Sequence, residues 1–169
     1  MDDFLTGATI WVALTLYAAS QIARRRPGAT AIAGRWLLAC GLALYIAHVV
    51  LAFDLHYDWS HATAFAETAA QTEALLGRPW GGGLYVNYFF SVIWAVEVLW
   101  WHGAPASYAG RRTWLERATR GLFLFMIVNG AVVFVDGPQR WLGVAIVGVL
   151  LLAWRPYLRF GQDAGHTQG

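Results

Sequence analysis

The stretch Gly121-Leu-Phe-Leu-Phe-Met-Ile-Val-Asn-Gly-Ala-Val-Val-Phe-Val135-Asp136-Gly-Pro-Gln-Arg140-Trp-Leu-Gly-Val-Ala-Ile-Val-Gly-Val-Leu-Leu-Leu-Ala-Trp154 decides how many helices this chain has. A helix crosses the hydrocarbon of a bilayer in roughly 20 apolar residues. This run is too long for one crossing, and it carries its break inside it. At Asp136-Gly137-Pro138-Gln139-Arg140 the proline cannot continue a helix and the glycine favours a turn. The expected result is a fourth helix ending near Val135 and a fifth from about Trp141 to Trp154. A re-entrant hairpin, leaving four spans, is the alternative.

Working outward, three more apolar runs precede this one, from about Phe4 to Ala23, Gly34 to Phe53 and Leu84 to Trp101. Hydrophobic residues make up 58% of the 169 residues and charged ones only 13%, about half the share of a soluble domain. A water-soluble fold of that composition would expose more apolar surface than soluble monomers tolerate. The fold class expected is therefore all-α: a polytopic membrane helical bundle, a single domain over 1–160, with 161–169 as a disordered cytoplasmic tail.

Arginine placement gives the orientation, because basic residues accumulate in cytoplasmic loops. Arg24, Arg25, Arg26 and Arg35 flank the first loop, Arg111, Arg112, Arg117 and Arg120 the third, and Arg155 and Arg159 follow the last helix. Only Arg78 and Arg140 fall on the other side, so ten of the twelve basic residues share one face. Asp2, Asp3, Asp54, Asp58, Glu67, Glu73 and Asp136 gather on the opposite one. Five spans with the N-terminus outside and the C-terminus in the cytoplasm produce this pattern, in the plasma membrane of a bacterium. The chain opens Met-Asp-Asp with no basic segment before its first apolar run, which reads as a retained helix rather than a cleaved signal. A net charge of +2 gives no support for nucleic-acid binding. The single Cys40 excludes an internal disulfide and a cysteine-based metal motif.

The outer loop from Asp54 to Gly83 is too long for a plain connection. Its Ala-rich centre, about 59–76, reads as an extra helix on the outer face, capped at its start by Asp58 or Ser60 and closed by Gly77 and Pro79. Small residues at Ala39, Ala43 and Ala47, and at Asn87, Ser91 and Ala95, recur at helical spacing and suit close helix contact. Most tryptophans sit near expected helix ends, as an aromatic belt requires, whereas Trp11 and Trp94 lie deeper.

Polar groups at membrane depth are costly and each needs a reason. His48, Asn87, Ser91 and Asn129 fall in the outer half of the bundle, at a rise of about 1.5 Å per residue. Beside them the loop opens with Asp54-Leu-His56-Tyr-Asp58-Trp-Ser-His61. His48, His56 and His61, with Asp54, Asp58 and Glu67, form a candidate ligand set for a transition metal or one haem, since imidazole and carboxylate suit zinc, copper, iron and manganese. The same residues serve equally as solvated groups at the membrane boundary. Glu97, inside the inner end of the third helix, is expected to pair with Arg35 or Arg120, or else to carry a proton.

Three functions follow as expectations. The first is a metal or single-haem site at the outer face, in a redox or metal-handling role. The second is a non-catalytic accessory or assembly subunit with membrane-protein partners or a second copy of itself. The third is a binder or transporter of a small molecule.

Overall fold

In the computed structural model, residues 2–26 and 28–155 are described, and they are helical with no strand among them. Arg159 and the expected tail lie outside the described residues. Helix α1 is Asp2–Ala23, α2 Ala29–His56, α3 His61–Leu76, α4 Gly83–Gly103, α5 Pro105–Ala109, α6 Thr113–Val128 and α7 Gln139–Ala153. Three stretches, Phe4–Ala23, Thr30–His56 and Gly83–Gly103, are long and apolar enough to cross a membrane. A bilayer also accounts for the large apolar side chains they leave exposed, among them Trp36, Phe89 and Leu99. The chain is a membrane protein.

The break expected at Asp136-Gly137-Pro138 is present, with α7 starting at Gln139 directly after the proline. Helix α6 does not run to it as a regular helix. It passes into a π-helical segment, Asn129–Val133, in which the Phe134 N–H donates to the Asn129 carbonyl five residues back, at 2.9 Å. The Asn129 side chain has taken the Phe125 carbonyl, at 2.8 Å. An amide that occupies a carbonyl four residues back competes with the regular ladder and favours such a widening.

Helix α2 is longer than its apolar run suggested. It continues without a break through Asp54 and His56, because no residue before Tyr57 opposes a helix. The chain then turns through left-handed backbone at Asp58 and Trp59, with φ of 44° and 56°. The Ser60 Oγ accepts the Thr63 N–H at 3.2 Å and starts α3. Gly77, at φ 71°, ends it by donating to the Glu73 carbonyl at 2.8 Å.

The long helices pack in chain order, α1 on α2, α2 on α4, α4 on α6 and α6 on α7, and α7 returns to α1. They form a closed ring, with α3 lying on α4 at one end. The α1–α2 contact uses Gly34 and Gly41, where a Cβ would come within 3.2 Å of Ala23 and of the Ala13 carbonyl. Of the alanine ridge, Ala43 is exposed, and Ala39 and Ala47 are half-buried. Midway along the ring an aromatic cluster fills the interior. Trp94 is fully buried, stacked on Tyr45 and edge-on to Tyr17, Phe90 and Phe123, and its indole N–H donates to the Leu38 carbonyl at 3.3 Å. Burying the indole is favourable because that donor is satisfied.

The seating of α7, the helix that closes the ring, rests on Gly143, which lies against the backbone of Ala131 in the π segment. A Cβ there would overlap the Ala131 carbonyl oxygen. Replacing Gly143 with alanine is expected to force α7 off the ring and to cost about 1–3 kcal/mol, read as a lowered unfolding temperature in detergent. An alanine at Gly148, where a Cβ meets nothing within 4 Å, is the matched control.

Candidate functional site

The two ends of the ring are built differently. The end that carries Glu97 is closed by a polar cluster. Glu97, only 7% exposed, accepts a 2.6 Å hydrogen bond from the Tyr108 hydroxyl and lies 3.9 Å from the Arg111 guanidinium. Arg24 donates to the Tyr108 oxygen at 3.2 Å and to Glu116 at 2.8 Å. Glu116 also accepts from Arg120, one turn along α6, and has Arg111 at 3.8 Å. The Tyr108 ring stacks on Trp101 and lies 4.0 Å from the Arg111 guanidinium carbon. Burial holds the Tyr108 phenol well above its ordinary pKa, so it remains a proton donor to Glu97 at physiological pH.

The partner of Glu97 thus differs from the expectation. Neither Arg35 nor Arg120 pairs with it. Pro105 starts the short helix α5, which folds back beneath α4 and delivers Tyr108 and Arg111 instead. Three guanidinium groups and two carboxylates share this cluster, drawn from α1, α4 and the α5–α6 segment, and every ionised group has an opposite neighbour. That arrangement supports structure rather than proton transfer.

At the opposite end the interior is open. A cavity of about 550 Å³ lies above the aromatic cluster and beneath α3. The deeper polar residues singled out from sequence converge on it: His48 from α2, Asn87 and Ser91 from α4, and Asn129 from the π segment all line it. Helix α3 adds Thr68, Gln71 and Thr72, and Tyr45, Tyr57 and Tyr88 complete its polar side. The remaining wall is apolar, with Val49, Phe53, Leu84, Phe90, Met126 and Phe134. Most of the hydroxyls are already committed. Ser91 donates to the Asn87 carbonyl at 2.9 Å, Thr68 to Ala64 at 2.8 Å and Thr72 to Thr68 at 2.8 Å. Burial, then the Glu67 carboxylate, raise the Tyr57 phenol above its ordinary pKa, so it is a neutral donor.

A smaller cavity of about 300 Å³ adjoins the first, between α1, α2, the π segment and the start of α7. The two share Ile10, Leu14, His48 and Gly130 as common wall. His48 lies with Nδ1 2.9 Å from the Thr6 carbonyl, an acceptor, so in the neutral ring Nδ1 carries the proton and Nε2 keeps its lone pair.

The six residues of the candidate ligand set are not gathered at one point. His48 and His56 both border the smaller cavity, but α2 runs unbroken between them, so they stand about 12 Å apart along its axis. The chain turns only after His56, so no bend brings His48 and His56 together. His61 is held at the start of α3 against α4, its ring nitrogens 3.2 Å and 3.3 Å from the hydroxyls of Tyr88 and Tyr85. Asp54 accepts the Trp59 indole N–H at 3.0 Å, and Asp58 and Glu67 are exposed. Among the described residues no group of three or more His, Cys, Asp and Glu side chains is placed to hold a metal ion.

Sequence reasoning missed Tyr85, Tyr88 and Gln71, and at the other end it missed Tyr108 and Arg111 as the partners of Glu97. The pairing of His61 with two tyrosines was open to inspection, since Tyr85 and Tyr88 lie three residues apart on one helix face. Glu116 is the hub of the arginine end. Changing it to glutamine is expected to cost about 2 kcal/mol, because Arg24 and Arg120 lose the charge that compensates their partial burial. Arg117→Gln on the exposed face should leave the unfolding temperature unchanged.

Comparison with protein-family models, with curated proteins and with solved structures gives no match to this chain.

Proposed function

We propose that this chain is a five-span membrane protein that binds a small lipid-soluble molecule in the outer half of its helical ring. The cavity of about 550 Å³ carries this reading, because it has the size and the mix of apolar wall and few polar groups of a small-molecule site. The aromatic cluster of Tyr17, Trp94 and Phe123 fills the ring below it. A floor of packed rings favours a binder over a transporter, which needs a route onward.

Two further crossings complete the membrane arrangement: α6 with its π extension, and α7, whose 15 residues reach the interface with help from their flanks. The arginine distribution supports an outer N-terminus and a cytoplasmic C-terminus in a bacterial inner membrane, with α3 on the outer face and the Glu97 cluster on the inner one. Exchanging Cys40 for alanine and placing single cysteines at Glu73 and Arg117 tests this. A membrane-impermeant thiol reagent added to intact cells should label the first and spare the second. Labelling of both or of Arg117 alone contradicts the orientation.

The metal or haem reading has less behind it, since only His48 and His56 of its ligand set border a common cavity. A role as an accessory subunit draws on the apolar outward face, which lipid explains as well. Mass spectrometry of a solvent extract from the gently purified protein separates the three. The expected outcome is one small organic species bound near stoichiometrically and lost when Ala52, on the cavity wall, is changed to phenylalanine. Identical extracts from the two proteins would remove the proposal. A bound metal lost from the His48→Ala, His56→Ala double variant would restore the metal reading in its place.

A further inference from the structure

The polar side of the large cavity specifies more than an amphipathic guest. Among the described residues no Asp, Glu, Lys or Arg lines it, and His48 is the one histidine on its wall. A ligand with a formal charge would leave water for a wall without a countercharge, which costs far more than hydrogen bonds to neutral groups return. The guest that fits is uncharged.

The hydrogen-bonding groups left free define its head. Thr68, Thr72 and Ser91 spend their hydroxyl protons on carbonyls one turn back, and the Asn129 amide nitrogen does the same. Two side-chain amides on the wall, Gln71 of α3 and Asn87 of α4, take no partner among the described residues. Each offers two N–H donors and a carbonyl acceptor. Both residues are exposed, so their amide groups are open to a ligand oxygen. Helix α4 carries Asn87 about one turn from its start, while α3 brings Gln71 over the cavity.

We infer that the ligand is an uncharged molecule with a hydroxyl or carbonyl head on an apolar body, and that Gln71 and Asn87 recognise that head. This rests on the cavity being the binding site, as proposed above. Both head types suit the amides: a carbonyl accepts from their N–H groups, and a hydroxyl does so while donating to their oxygens.

The test is binding to the delipidated, detergent-purified chain of five probes with one tail length: dodecanol, dodecyl methyl ketone, dodecanoate, dodecylammonium and dodecane. Affinity is read from the rise in unfolding temperature with probe concentration. The alcohol and the ketone should bind at least tenfold more tightly than either charged probe, and comparison of the two reports which head is preferred. Gln71→Leu and Asn87→Leu should each weaken the alcohol and the ketone by about three- to tenfold. They should leave dodecane bound as well or better, a result that loss of structure would not give. Carboxylate or ammonium binding as tight as the alcohol, or alcohol binding unchanged in both variants, would overturn the inference while leaving the cavity as the site. Failure of all five probes would overturn both.

Discussion

Gly143 and the carbonyl of Ala131 stand so close that only a hydrogen fits between α7 and the π segment, and this contact seats the helix that returns to α1 and closes the ring. Everything else in the molecule presupposes that closure. Helices that pack only on their chain neighbours would form an open row with no interior. Returning α7 to α1 encloses a space, and the side chains that meet in it decide what each level of the ring becomes. The π segment contributes twice. It widens the helix where α7 must approach, and it sets Asn129 and Gly130 on the wall of the large cavity.

Along the ring axis three levels follow one another. At one end the arginine cluster joins α1, α4, α5 and α6 by charged hydrogen bonds, with Glu116 shared among three guanidinium groups. In the middle, interlocked aromatic rings fill the section, and the Trp94 indole N–H finds the Leu38 carbonyl. At the other end the packing gives out, and only α3, resting on α4, covers the opening. Two packed levels thus lie below an open one.

Much of the fold is legible in the sequence because lipid leaves few choices. A chain in hydrocarbon must satisfy its backbone hydrogen bonds internally, so long apolar runs become helices. Pro138 and Gly137 mark the last break, and Ser60 and Gly77 mark the two ends of α3. The length of α2 was less legible. Asp54 and His56 look like loop residues by polarity, yet they occupy the last turns of a 28-residue helix. Polarity reports depth in the membrane, not the end of a helix.

The sequence by itself determined the solvent, the helices, the breaks between them and the concentration of arginine toward one end, because each follows from local composition and backbone chemistry. It also singled out His48, Asn87, Ser91 and Asn129 as polar groups at depth. Only the tertiary structure decided that these four border one cavity, that Glu97 meets Tyr108 and Arg111, and that His61 turns to Tyr85 and Tyr88 instead of His48. Periodicity gives the face of a helix on which a side chain stands. Which face meets which neighbour depends on the rotation of each helix in the closed ring, and that rotation is set by close contacts such as Gly143 on Ala131.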